Sequence, residues 1–87
     1  MPVAEMFQEA LRAQQANRLA EAESLYAAIV ALEPRHADAL GFLGIIAHQL
    51  GRNRAAVEYL TRAIAINPSV AHYHTFLGAA YRQLERL

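Results

Sequence analysis

The sequence predicts an all-α fold in which antiparallel helical hairpins, five helices in total, stack side by side as an α-solenoid. Three observations carry that expectation. Two similar apolar-patterned stretches, Leu25 to Pro34 and Tyr59 to Pro68, each end in proline, and the two prolines lie 34 residues apart. A period of that length belongs to arrays of helical hairpins, in which each unit buries its apolar face only by stacking on the next. The chain is also 55% hydrophobic and rich in alanine, which suits close helix–helix packing. Strand signals are poor, since β-branched runs are short and no Asn-Gly or Asp-Gly hairpin turn occurs.

Laying the chain on a copy of itself shifted by 34 residues pairs Ala13 with Ala47, Gln15 with Gln49, Arg18 with Arg52, Ala22 with Ala56 and Ala31 with Ala65. Similar residues fill the gaps, as in Leu11 with Ile45 and Val30 with Ile64. A second shift pairs Leu43-Gly44 with Leu77-Gly78. The punctuation between these matches sets the elements. Pro2 suits a first helical turn, where its missing N–H costs nothing. The first helix is expected from Val3 to Gln15, with Asn17 as a left-handed C-terminal cap. The second runs from Leu19 to Leu32, where Glu33-Pro34 ends it because proline disfavours helix in the residue before it. The third runs from Ala37 to Leu50 and stops at Gly51. The fourth runs from Asn53, available as N-cap, to Ile66, stopped by Asn67-Pro68. Ser69 is expected to cap a fifth helix from Val70 to about Leu84. Linkers this short make consecutive helices antiparallel neighbours.

At 87 residues the chain is read as one domain, 1–87, with units 3–36, 37–70 and a partial 71–87. Eight basic and eight acidic residues cancel, so no basic patch argues for nucleic acid and no charge block for a disordered tail. The absence of cysteine removes disulfides and thiolate metal ligands. The N-terminal residues lack a basic region followed by an apolar core, and no apolar run approaches the roughly 20 residues that span a bilayer. The expectation is a soluble, cytoplasmic chain with no nucleic-acid or membrane partner.

These residues resemble the tetratricopeptide repeat. In the middle unit, Leu43-Gly44 and Ala47 are similar to the Leu-Gly and following small or aromatic residue of that family's first helix. Gly51 matches its turn glycine, and Ala56, Leu60, Ala63 and Pro68 match the Ala, Phe/Tyr, Ala and Pro of its second helix. The first unit keeps Ala10, Ala22, Tyr26 and Pro34 but has Glu9, Asn17 and Ile29 where leucine, glycine and alanine are usual. The third keeps Leu77, Gly78 and Tyr81, with Glu85 at the turn-glycine place. Independently of the family, Gly44, Ala47, Ala56, Ala63 and Gly78 are small enough to let helices approach, while Tyr26, Leu43, Leu60, Ile64 and Leu77 fill the remaining space.

The resemblance implies a right-handed superhelix whose concave face is lined by the first helix of every hairpin, and a function in binding protein rather than in catalysis. That face would carry Phe7, Leu11, Gln14 and Gln15 from the first helix, then Asp38, Gly41, Ile45, His48 and Gln49 from the third. His72, Thr75, Ala79 and Arg82 would come from the fifth. The surface is mixed, apolar at Phe7, Leu11 and Ile45 and amide or imidazole further along, and it suits an extended peptide or a partner helix. Leu11→Arg or Ile45→Arg is expected to abolish partner capture without unfolding the domain. Chaperone-binding members grip a terminal carboxylate with lysine, arginine and asparagine, whereas the matching places here are Phe7, Leu11, Phe42, His72 and Phe76. The asparagine ladder of the sugar-transferase solenoids is replaced by Gln8, Phe42 and Phe76.

No catalytic set, metal site or cofactor is expected. His72 and His74 project about 200° apart on a helix, and His36 and His48 lie near helix ends with no ligand at coordinating spacing. Glu21, Glu23 and Glu58 read as a solvated face, with Arg54 and Arg62 each four residues from Glu58 for weak pairing. No glycine loop suits a phosphate. The last helix is expected to show apolar residues on more than one side, among them Phe76, Leu77, Ala80, Tyr81, Leu84 and Leu87. Three explanations stand: a longer repeat protein cut after the fifth helix, a shallow cap, or a homo-oligomer paired through Phe76, Tyr81 and Leu84. A second class of function is an oligomerisation or docking segment of a larger multidomain protein, such as a bacterial glycosyltransferase-like enzyme.

Overall fold

The computed structural model describes residues 1–86; Leu87, expected among the apolar residues of the last helix, lies outside them. Five α-helices follow one another: α1 (Val3–Gln15), α2 (Leu19–Leu32), α3 (Ala37–Gln49), α4 (Asn53–Ile66) and α5 (Ala71–Glu85). They stack as helical hairpins into an elongated body of 40 × 26 × 20 Å, the proportions of a short solenoid.

The tight turns of the two hairpins are built alike. The Asn17 N–H donates to the Gln14 carbonyl and the Arg18 N–H to the Ala13 carbonyl. Thirty-four residues on, Gly51 donates to His48 and Arg52 to Ala47, at the same 3.0 and 2.8 Å. This pair of bonds closes a helix through one left-handed residue. Gly51 takes φ of 80°, and Asn17, the one non-glycine residue with positive φ among those described, takes 60°. The proline ends also repeat: Glu33 (φ −134°, ψ 85°) and Asn67 (φ −136°, ψ 89°) are both pushed out of the helical region by the proline that follows.

Four local expectations are corrected. Pro2 is the residue before the helix (φ −62°, ψ 148°) rather than part of its first turn, and its carbonyl accepts from the Glu5 and Met6 N–H groups. α3 ends at Gln49, one residue early, because Leu50 already belongs to the turn. Asn53 is the first residue of α4 rather than its cap; Arg52 holds that position, and the Asn53 Oδ1 pairs with His48 Nδ1 at 2.7 Å. Ser69 does not cap α5, which begins at Ala71 after Val70; its hydroxyl donates instead to Asn67 Oδ1 at 3.0 Å. At the start of α3 a side chain does cap, as His36 Nδ1 accepts from the Ala39 N–H at 3.0 Å.

The core has two compartments joined at α3. Met6, Ala10 and Ala13 of α1 meet Ala22, Tyr26 and Ile29 of α2 and Ala39, Leu43 and Ile46 of α3. On its other side α3 gives Leu40, Ile45 and Ala47 to a second compartment with Ala56, Leu60 and Ala63 of α4 and Tyr73 and Ala80 of α5. Burial on both sides explains why α3 lacks a polar face, and each buried large aliphatic side chain contributes about 1.5–3 kcal/mol. Close approach needs missing side chains. A Cβ at Gly44 would stand 2.6 Å from Leu60 Cγ, and one at Gly41 would stand 2.1 Å from the Tyr73 ring. Gly78, expected to play the same part, faces open space, since a Cβ there would meet only the Arg82 guanidinium at 3.5 Å.

Surface charge departs from expectation too. Glu23 is not simply solvated: it accepts from Arg52 at 2.6 Å and ties α2 to the start of α4. Arg18 pairs with Glu21 at 2.9 Å. Glu58 forms no ion pair with Arg54 or Arg62.

Candidate binding cleft

A cleft of about 340 Å³ opens between α1, α3 and α5. Its floor is apolar, made by Phe42 and Ile45 of α3, Phe76 of α5, and Val70 just before α5. Gln14, Gln49, Asp38, His72 and Tyr73 complete its lining. Helical spacing brings these groups together: Asp38, Phe42, Ile45 and Gln49 recur every three or four residues on one side of α3. A larger hollow, about 520 Å³, lies elsewhere, between the α3–α4 turn and Gln83-Leu84 near the end of α5.

Two phenols order the polar groups. The Tyr73 hydroxyl donates to Asp38 Oδ1 at 2.7 Å and approaches the Ala37 carbonyl at 3.4 Å. Burial, then the hydrogen bond to Asp38 and that carboxylate's charge, hold this phenol protonated well above its ordinary range. The Tyr26 hydroxyl donates to Gln14 Oε1 at 2.8 Å, which leaves the Gln14 amide NH2 as the donor toward the cleft's surroundings. Burial raises the Tyr26 phenol to about 12.

Of the residues expected on a concave face, Gln14, Asp38, Ile45, Gln49 and His72 line this cleft. Ile45 does so as its floor, only 7% exposed and part of the second core compartment. Gly41 is buried under the Tyr73 ring. Phe7 is half-buried in an aromatic cluster, its centroid 5.8 Å from Tyr26, 5.3 Å from His36 and 6.0 Å from Phe42. Leu11 and Ala79 are half-buried outside the lining, and Gln15 and Arg82 are exposed there. Thr75 is exposed and bonds back to the Ala71 carbonyl. His48 is held by Asn53, and its ring meets that of Phe76 in a T-shaped arrangement, with centroids 5.9 Å apart.

The residues expected on the concave face did not include Phe42, Phe76, Tyr73 or Val70, although Phe42 and Phe76 were matched to the family's peptide-gripping places. A signal for two of them was present, because Phe42 and Phe76 lie one period apart on the helices that line the cleft. Among the described residues no group of three or more His, Asp or Glu side chains is placed to hold a metal ion. No helix among them is long and apolar enough to cross a membrane.

Stacked helical hairpins around a mixed cleft define a helical-repeat protein. The chain belongs to the tetratricopeptide repeat family, whose profile matches residues 7–71 and again 49–87. Repeats of this family generally mediate protein–protein interaction, and the fold is typically a non-catalytic module. The chain is also similar to the cellulose synthase operon protein C of Komagataeibacter xylinus, with 35% identity over 86 residues. That match covers 92% of this chain and spans 7% of the length of the relative.

Proposed function

We propose that this chain captures a short segment of a partner protein in the cleft between α1, α3 and α5. The observation that carries the reading is the make-up of that cleft: an apolar floor of Phe42, Ile45 and Phe76 beneath a rim of exposed Gln49, His72 and Asp38. An apolar side chain of the partner fills the floor, and amides and the Asp38 carboxylate hydrogen-bond its backbone or a basic group. The test is affinity capture from the source organism with the native chain and with a Gln49→Arg/His72→Glu double variant, which alters the rim and leaves the core alone. Loss of specific proteins from the double variant supports the cleft. An identical set of captured proteins sinks it.

A second reading is favoured by the small share of the operon protein that this chain matches. In it the segment is one docking part of a larger multidomain protein, such as one serving bacterial polysaccharide synthesis. Sequencing the coding region on both sides decides: an open frame extending into further repeats or a catalytic domain supports the reading, and stop codons flanking the segment exclude it.

A further inference from the structure

The cleft between α1, α3 and α5 carries charge of one sign. The chain has eight basic and eight acidic residues, and every one of the basic eight is arginine. None of those arginines is in the cleft's lining, where Asp38 is the one formal charge among the described residues. Asp38 is exposed, yet its carboxylate is held in place rather than free to swing. The Tyr73 hydroxyl donates to its Oδ1 at 2.7 Å, from a ring that is itself 3% exposed and packed against Gly41. Among the described residues no arginine or histidine pairs with that carboxylate, so its negative charge is uncompensated. A carboxylate positioned in advance loses little freedom when it meets a partner.

Building on the proposed capture of a partner segment, we infer that the cleft selects a segment carrying a basic side chain and an apolar one two residues apart, and rejects an acidic segment. Lysine or arginine of the partner pairs with Asp38, while the apolar side chain enters beside Phe42, Ile45 and Phe76. The spacing follows from α3. Asp38 and Phe42 are four residues apart on one side of that helix, about 6 Å along its axis. An extended chain lying along α3 returns to the same face every second residue, about 6.6 Å. A basic residue over Asp38 therefore sets the side chain two positions away over Phe42, whichever way the segment runs. Gln49, exposed about two turns beyond Phe42, offers both a donor and an acceptor to the segment's backbone. An acidic segment would bring like charge to Asp38 with no cation in the lining to offset it, and that repulsion supplies the discrimination.

The test is fluorescence anisotropy of the 87-residue chain with labelled octapeptides of glycine and serine that carry arginine and phenylalanine two residues apart, in both orders. Matched peptides place glutamate or serine at the arginine, or serine at the phenylalanine. At about 50 mM salt the arginine peptide, in at least one order, should bind about three- to tenfold more tightly than its serine match, with the glutamate peptide weakest. That preference should shrink at about 500 mM salt. Asp38→Asn, which keeps an oxygen to accept from Tyr73, should bring the three peptides together. His72→Arg, at an exposed place in the same lining, should weaken the arginine peptide by adding a cation without touching the core. Three charge variants that bind the native chain equally, or a glutamate peptide that binds best, overturn the selection and leave a cleft that takes phenylalanine. A phenylalanine peptide no tighter than its serine match overturns the capture of a segment along with it. A dimer seen by sedimentation without peptide, and dissolved by Asp38→Asn, gives the site to a second copy and overturns the selection too.

Discussion

The ring of Tyr73 packs against Gly41 so closely that a Cβ there would stand 2.1 Å from the ring's Cε1. That contact fastens α5 to α3, and the Tyr73 hydroxyl completes it by donating to Asp38 on the same helix at 2.7 Å. One aromatic residue thus joins two repeat units and shapes the cleft between them.

Gly41→Ala should therefore destabilise the fold, although alanine in a helix interior ordinarily gains about 0.5–1 kcal/mol over glycine. Overpacking against the ring is expected to outweigh that gain, for a net loss of about 1–3 kcal/mol in urea unfolding followed by circular dichroism. Pairing the change with Tyr73→Leu should recover part of the loss. A Gly41→Ala variant as stable as the native chain would show that α5 shifts freely.

Alkaline pH should loosen the same junction. Folding raises the Tyr73 and Tyr26 phenols above the ordinary value of 10.0, Tyr26 to about 12. The native state thus keeps protons that the unfolded chain releases. Stability contributed by these groups is complete below pH 10 and falls as pH rises from there toward 12 and beyond, since the unfolded state then binds fewer protons. Melting temperatures at pH 9, 10.5 and 11.5 should decline, and Tyr73→Phe should decline less steeply while starting about 0.5–3 kcal/mol lower at pH 9 for the lost hydrogen bond. Parallel slopes for the two proteins would contradict the assignment.

Ile45→Arg is now expected to unfold the chain rather than merely to block a partner. The side chain is 7% exposed among Leu40, Ala47 and Leu60, and an unpaired guanidinium there should cost about 3–5 kcal/mol, much of a small domain's stability. Gln49→Arg, four residues along and exposed, should change stability by no more than about 0.5 kcal/mol. Thermal melts of the two variants side by side separate floor from rim.

Asn17→Gly should stabilise, and Gly51→Val should destabilise. Both positions have positive φ, where a glycine pays no Cβ penalty and a β-branched residue pays the most. The expected changes are a gain of up to about 1 kcal/mol at residue 17 and a loss of about 1–2 kcal/mol or more at residue 51. Chemical denaturation midpoints should move in opposite directions at these shift-related turns, and a midpoint unmoved at either residue would contradict the expectation.

The order, number and near-final bounds of the helices were legible in the chain because their stop signals act locally. Pro34 and Pro68 bias the residue before them, and Asn17 and Gly51 reverse the backbone through their own φ, so no distant contact is needed. The small residues at positions 44, 56 and 63 were legible for a related reason: helix spacing fixes which of them share a face. What the sequence left open was which neighbour each face meets. Ile45 and Leu11 occupy matching places one period apart, yet the second compartment covers Ile45 while Leu11 stays half-exposed. Phe7 was expected on a binding face and turned instead into the Tyr26–Phe42 cluster. Gly78 matches Gly44 in the repeat, but the residue that fills Gly44 comes from α4, 16 residues farther along the chain, and no described helix stands in that position beside α5. Asp38 joins the cleft's chemistry through Tyr73, 35 residues away. Those outcomes depend on contacts between units, which only the stacked helices decide.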